Sequence, residues 1–173
     1  MIAPLRLAAI AIAGCQATPE DTHPPEPVPL IVAAAWAPTD AAADPLPEHR
    51  PAVVDCPAAA WGEELGGIEV DTTLCNYLSV EQPLRAPVRQ GETLQMLAWH
   101  QSLTAPVAAT AHLALLIEGV LLWERTLSLP AEAAAYDERF PAAADHPAGA
   151  RVTFHVHNHG ANTYNFNHLQ VLR

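Results

Sequence analysis

The feature that most constrains this chain is the strict alternation across Arg151-Val152-Thr153-Phe154-His155-Val156-His157. A period of two puts Val152, Phe154 and Val156 on one face and Thr153, His155 and His157 on the other, the signature of a β-strand with one face against a core. The same rhythm recurs from Ile68 onward. Ile68, Val70 and Thr72 alternate with Glu69 and Asp71, Thr93 to Trp99 follows the turn-like Gln90-Gly91-Glu92, and a last strand is expected from Tyr164 to Leu172. Leu113, Leu116, Ile117 and Val120 also fit helical spacing. Glu118-Gly119, however, offers a hairpin turn between 111–117 and 120–127, and two strands are the preferred reading. Residues 131–147 read as an Ala-rich loop, with at most one helical turn around Glu132 to Tyr136. Short apolar runs punctuated by Gly, Pro and Asn predict an all-β fold, a two-sheet antiparallel β-sandwich of jelly-roll-like or Ig-like kind.

The N-terminal third has a different character. Nine of the 17 prolines fall between Gln16 and Pro51. Proline neither pairs freely into sheets nor continues helices, so this stretch reads as a semi-extended, disordered spacer. Inside it, Ile31 to Trp36 forms an apolar island whose docking onto the domain is left open. Before it, Met1 to Gly14 has the layout of a signal peptide: one positive charge at Arg6, a short apolar run, then small residues. That run is far short of the ~20 residues needed to cross a bilayer. Ile12-Ala13-Gly14-Cys15 resembles the lipobox of bacterial lipoproteins. The resemblance covers these four positions and the run before them, with Ile where Leu is most common. It implies acylation of Cys15, a membrane partner through that lipid, and, because Gln16 rather than Asp follows, delivery to the outer membrane of the cell envelope. The expected organisation is therefore 1–14 signal peptide, 15–51 lipid-anchored tether and 52–173 β-sandwich.

With Cys15 assigned to lipid, Cys56 and Cys75 remain as an even pair in an oxidising compartment and are expected to be bridged. Closing such a loop stabilises by about 3 kcal/mol in the chain-entropy model. The formal charge of −11, with every cation an Arg except the histidines, excludes binding to a nucleic-acid backbone, which requires clustered cations.

One constellation carries chemistry. Four of the 9 histidines, His155, His157, His159 and His168, fall within a short C-terminal span. On a pleated strand His155 and His157 share a face about 7 Å apart. His100 and His112, on neighbouring strands, complete a possible three- or four-nitrogen site for copper or zinc, which imidazole suits. The competing reading places these histidines on a solvated strand face, with His159-Gly160-Ala161-Asn162 a hairpin connection. Trp61, Trp99, Trp123 and Tyr164 offer a sugar-stacking platform or, alternatively, core and core-edge aromatics. No phosphate-binding Gly-rich loop, His-Glu-x-x-His or Gly-x-Ser-x-Gly pattern is present, so no catalytic residues are nominated. The leading expectation is a non-catalytic envelope lipoprotein whose sandwich binds another envelope protein or glycan, without a cofactor. Its rival is a copper- or zinc-binding lipoprotein built on the histidines.

Overall fold

The computed structural model describes residues 26–173. The expected signal peptide, the lipobox and Cys15 lie outside the described residues. Eleven strands run in the order β1 (Pro27–Pro29), β2 (Ala37–Pro38), β3 (Trp61–Glu64), β4 (Gly67–Asp71), β5 (Tyr77–Pro83), β6 (Thr93–His100), β7 (Ala109–Ile117), β8 (Val120–Leu129), β9 (Ala134–Pro141), β10 (Arg151–Asn158) and β11 (Thr163–Leu172). Helical structure among the described residues is limited to three-residue 3₁₀ turns.

One sheet has the order β3-β4-β11-β6-β9, with β1 beside the far half of β11, and the other has the order β2-β5-β10-β7-β8. Every pairing within them is antiparallel. From β4 to β11 the chain changes sheet at almost every step. The result is β4-β11-β6-β9 facing β5-β10-β7-β8, the jelly-roll member of the two expected sandwiches. Between the layers Phe154 of β10 and Phe166 of β11 stack with centroids 4.7 Å apart, joined by Leu94, Met96, Leu113, Leu115, Val152 and Val156, all essentially without exposure. The β7–β8 hairpin turns on Glu118 and Gly119, both at positive φ (50° and 74°), the left-handed pair that a two-residue turn demands.

Two expectations are corrected. Residues 131–147 are not simply a loop: Ala134–Pro141 is strand β9, the edge partner of β6. Alanine carries little β-propensity, but Ala134, Tyr136, Glu138 and Phe140 alternate inward, and Tyr136 packs on Trp123 of β8 with centroids 5.4 Å apart. Arg125 of β8 also reaches Glu138 at 3.0 Å, so the two edge strands are tied across the open side of the sandwich.

The second correction concerns the spacer. Residues 27–51 are laid onto the sandwich as an ordered strap, and the domain begins well before residue 52. Proline has no amide hydrogen to donate, but it leaves the carbonyls and the other residues free to lace the strap down. β1 pairs with β11, β2 pairs with β5, and the Gln82 side chain grips both the amide (2.8 Å) and the carbonyl (3.1 Å) of Val32. The apolar island does dock: Leu30 is 0% exposed, Ile31 and Trp36 are buried, and Trp36 leans on Phe166. Cys56 and Cys75 are disulfide-bonded, joining the end of the strap to the turn after β4.

Candidate metal centre

The outer face of the second sheet is where the strap matters. Alternation directs Val152, Phe154 and Val156 into the core and Thr153, His155 and His157 outward. Register then places His112 of β7 directly opposite His157, and Ala114 opposite both His155 of β10 and Glu124 of β8. A face of this kind would ordinarily be solvated. Here residues 39–50 cover it. Thr39 meets Ser79 of β5, and Asp44 accepts hydrogen bonds from the Tyr77 hydroxyl, from Arg50 Nη1 at 3.0 Å and from the Leu46 amide at 3.1 Å. The Arg50 guanidinium lies over the Tyr77 ring, 5.2 Å from its centroid. This latch holds the 3₁₀ turn Pro47–His49 down on the sheet.

His49 is thereby delivered onto His112 and His155. One nitrogen from each of the three imidazoles lies within 4.8 Å of the others, and they are the one such metal-capable group among the described residues. His49 and His112 stack with centroids 3.8 Å apart and planes 8° from parallel, while His155 meets them edge-on or tilted at 5.5 and 5.3 Å. Shared coordination requires the stacked pair to rotate apart, a side-chain motion.

The polar accounting at this site is unusual. His155 is 0% exposed, yet neither of its ring nitrogens has a hydrogen-bond partner. His112 Nδ1 is also buried and unpartnered, while its Nε2 contacts Glu124 at 3.3 Å. A carboxylate that takes the Nε2–H fixes the tautomer with the lone pair on Nδ1, the usual arrangement behind a metal-ligating histidine. Buried polar atoms almost always find partners, because leaving one unsatisfied costs about 1–3 kcal/mol. His155 and His112 are thus each left with a buried ring nitrogen whose lone pair has no partner, beside the imidazole of His49.

Burial also sets the charge state. Desolvation, reinforced by the neighbouring imidazoles, lowers the pKa of His155 to about 2 and that of His157 to about 4, and desolvation lowers that of His112. All three are neutral at physiological pH, the form that ligates metal. The sign of the linkage is fixed. Below the unfolded value of 6.5 the unfolded chain takes up protons that folded His155 refuses, so stability is lost as pH falls. At pH 5 the deficit is about 1.5 pH units, or about 2 kcal/mol from His155 alone. Urea unfolding of metal-free protein at pH 7 and pH 5 is expected to show this loss, and equal midpoints would contradict the buried neutral imidazole.

The remaining sequence candidates separate. His157 stands beside the cluster, 6.1 Å from His49 between centroids, and His159 lies 4.6 Å beyond it at the surface. His100 and His168 are on the other sheet. His100 faces the core with both nitrogens occupied, by Gln101 O at 2.9 Å and the Tyr136 hydroxyl at 3.0 Å. His49 was not nominated from sequence, since it sits in the Pro-rich stretch read as spacer. The aromatic candidates do not form one platform either. Tyr164 is 0% exposed, Trp123 is buried at the zipped edge, Trp61 lines an acidic cleft with Glu63, Glu64, Glu69 and Asp71, and Trp99 lies half-buried on the outer face of the first sheet.

No family model and no curated protein matches the chain. Among solved structures it is similar to a CBM4 (14% identity over 65% of this chain and 74% of that one, TM-score 0.38). It is also similar to the CBM51 from Clostridium perfringens GH95 in complex with methyl-galactose (9%, 69% and 79%, TM-score 0.37). A third is the CBM35 from Paenibacillus barcinonensis (13%, 83% and 97%, TM-score 0.36). At these scores the likenesses carry no inference about what this chain binds.

Proposed function

We propose that this protein is an envelope lipoprotein whose β-sandwich binds one copper or zinc ion, without catalysis, through His49, His112 and His155. This reverses the order of the two expectations drawn from sequence. The observation that carries it is the convergence of three imidazoles from three separate segments, with His155 fully buried and neither of its nitrogens partnered. A donor set of neutral nitrogens without thiolate or direct carboxylate suits copper or zinc rather than magnesium or calcium, which take oxygen. Glu124 behind His112 supplies the orienting carboxylate. The lipid anchor at Cys15 and outer-membrane delivery belong to the same proposal and rest on the lipobox resemblance alone.

Calorimetric titration of tag-free protein with Zn(II) and with Cu(II) tests the reading. One equivalent bound with submicromolar affinity is the expected result. Absence of any tight site for either ion removes it.

A second reading, glycan recognition, is favoured by one feature of the opposite sheet. Asn165, 1% exposed with neither side-chain atom bonded, sits in register between Glu69 and Trp99, and the Trp99 indole is held by Asn167 Oδ1 at 2.6 Å. A fixed, half-exposed indole is a stacking surface that a sugar ring can use. If so, Trp99→Ala removes retention on immobilised envelope polysaccharide and leaves metal binding intact. Equal retention of both forms would end this reading.

A further inference from the structure

His155 is 0% exposed beneath the strap, so an ion bound there needs a way in. Two histidines that the three-ligand site does not use, His157 and His159, are arranged as one. His159 is exposed at the rim of a shallow surface cleft of about 570 Å³ beside the ends of β7 and β8. Its ring lies 4.6 Å from that of His157, which is half-buried and whose Nε2 is enclosed without a partner. His157 in turn stands 6.1 Å from His49, the least buried of the three site histidines. The series runs from solvent to the buried site in steps of one side chain.

His159 is also held in place by more than its own contacts. Asn158, 2% exposed, donates from Nδ2 to the Gly160 carbonyl at 2.6 Å and accepts from the Tyr164 hydroxyl at 2.9 Å. Gly160 is pressed so closely on Thr104 O and Leu129 Cδ1 that an added Cβ would stand 2.6 and 2.7 Å from them. The backbone on both sides of His159 is therefore fixed, and an exposed imidazole is presented at a set point.

We propose that His159 and His157 are the access route to the metal site: His159 captures the ion at the surface and His157 passes it to His49, His155 and His112. The inference rests on the metal-binding reading above. Each step is ligand exchange, one metal–nitrogen bond forming as another breaks. The ion keeps its oxidation state, the imidazoles stay neutral, and water displaced from the ion leaves to solvent. His159 and His157 act on rate and not on affinity. Since Kd is the ratio of the two rate constants, loading and release must slow by the same factor when either is removed.

Stopped-flow mixing of the full folded domain with the free ion, Zn(II) or Cu(II), measures loading. Competition with excess chelator measures release. For His159→Ala and His157→Gln, both rates are expected to fall at least about tenfold with Kd within threefold of wild type. Unchanged rates would overturn the proposal and leave opening of the strap as the way in. A Kd weakened in step with faster release would also overturn it, by making these residues ligands. His155→Ala is the control that separates the two ideas. If wild type binds tightly and His155→Ala does not, the site stands whatever the His159 result. If wild type takes up no ion, site and route fall together.

Discussion

Replacing His155 with leucine is expected to abolish tight metal binding and, at the same time, to make the metal-free protein more stable. Leucine fills much of the same volume in a site with 0% exposure. It removes two ring nitrogens that have no hydrogen-bond partner in the protein. An unsatisfied buried polar group costs about 1–3 kcal/mol, and replacing it with an apolar group of similar shape recovers that cost. The substitution should therefore stabilise by about 1–3 kcal/mol in urea unfolding and remove the His155 share of the loss between pH 7 and pH 5, leaving that of His157 and His112. Metal affinity should fall at least about 100-fold, more than the 10–100-fold typical of removing a carboxylate behind a ligand, which Glu124→Gln is expected to show. A histidine kept for packing would behave in the opposite way: His155→Leu would destabilise.

The second large effect is expected at Asp44, which touches no metal. Its buried carboxylate accepts from the Tyr77 hydroxyl, Arg50 and the Leu46 amide, and its side chain has 0% exposure against 29% for Arg50. In Asp44→Ala the Tyr77 hydroxyl loses its partner in a site where the residue is 2% exposed, and the Arg50 guanidinium loses its counter-charge. Breaking a buried pair from one side typically costs 3–5 kcal/mol, and the partial exposure of Arg50 places this case near about 3 kcal/mol. The latch also seats the turn that carries His49, five residues along. Metal affinity is expected to fall 10–100-fold although all three imidazoles remain. Stability within 0.5 kcal/mol of wild type would show that the strap is held by something other than this latch.

These two residues mark what the sequence could and could not reveal. The core-facing and outward-facing sides of Arg151–Asn158 were legible because period-two alternation is local, and so was the Glu118-Gly119 hairpin, because a two-residue turn has its own chemistry. The Cys56–Cys75 bridge followed from having two cysteines left to pair. His112 and His155 could be named as candidates on neighbouring strands. Nothing local indicated that Asp44 reaches Tyr77, 33 positions away, or that His49 lands on His112 and His155. Those contacts depend on which sheet face the strap crosses, and strand order in a jelly roll is set by partners far apart in sequence. Proline content misled in the same way: it predicts a chain that does not form helices or central strands, and a chain pinned along a sandwich satisfies that equally well. Strand β9 was missed because Ala134 and Ala135 hide an alternation that Tyr136 and Phe140 complete.

His100 shows why residue type alone is a weak guide. It is as buried as the members of the cluster, but both its nitrogens are bonded within the fold, and it has no lone pair to offer. His155, on a strand of the facing sheet, has two unpartnered ring nitrogens. That difference is the reason the metal site is assigned where it is.

The most direct measurement is an anomalous difference map from crystals of the protein grown with one equivalent of Zn(II) or Cu(II). A single strong peak is expected, bonded to one nitrogen each of His49, His112 and His155 at about 2.0–2.1 Å, with the stacked pair rotated apart. A peak elsewhere, or no peak at these three imidazoles in protein that has bound the ion, would contradict it.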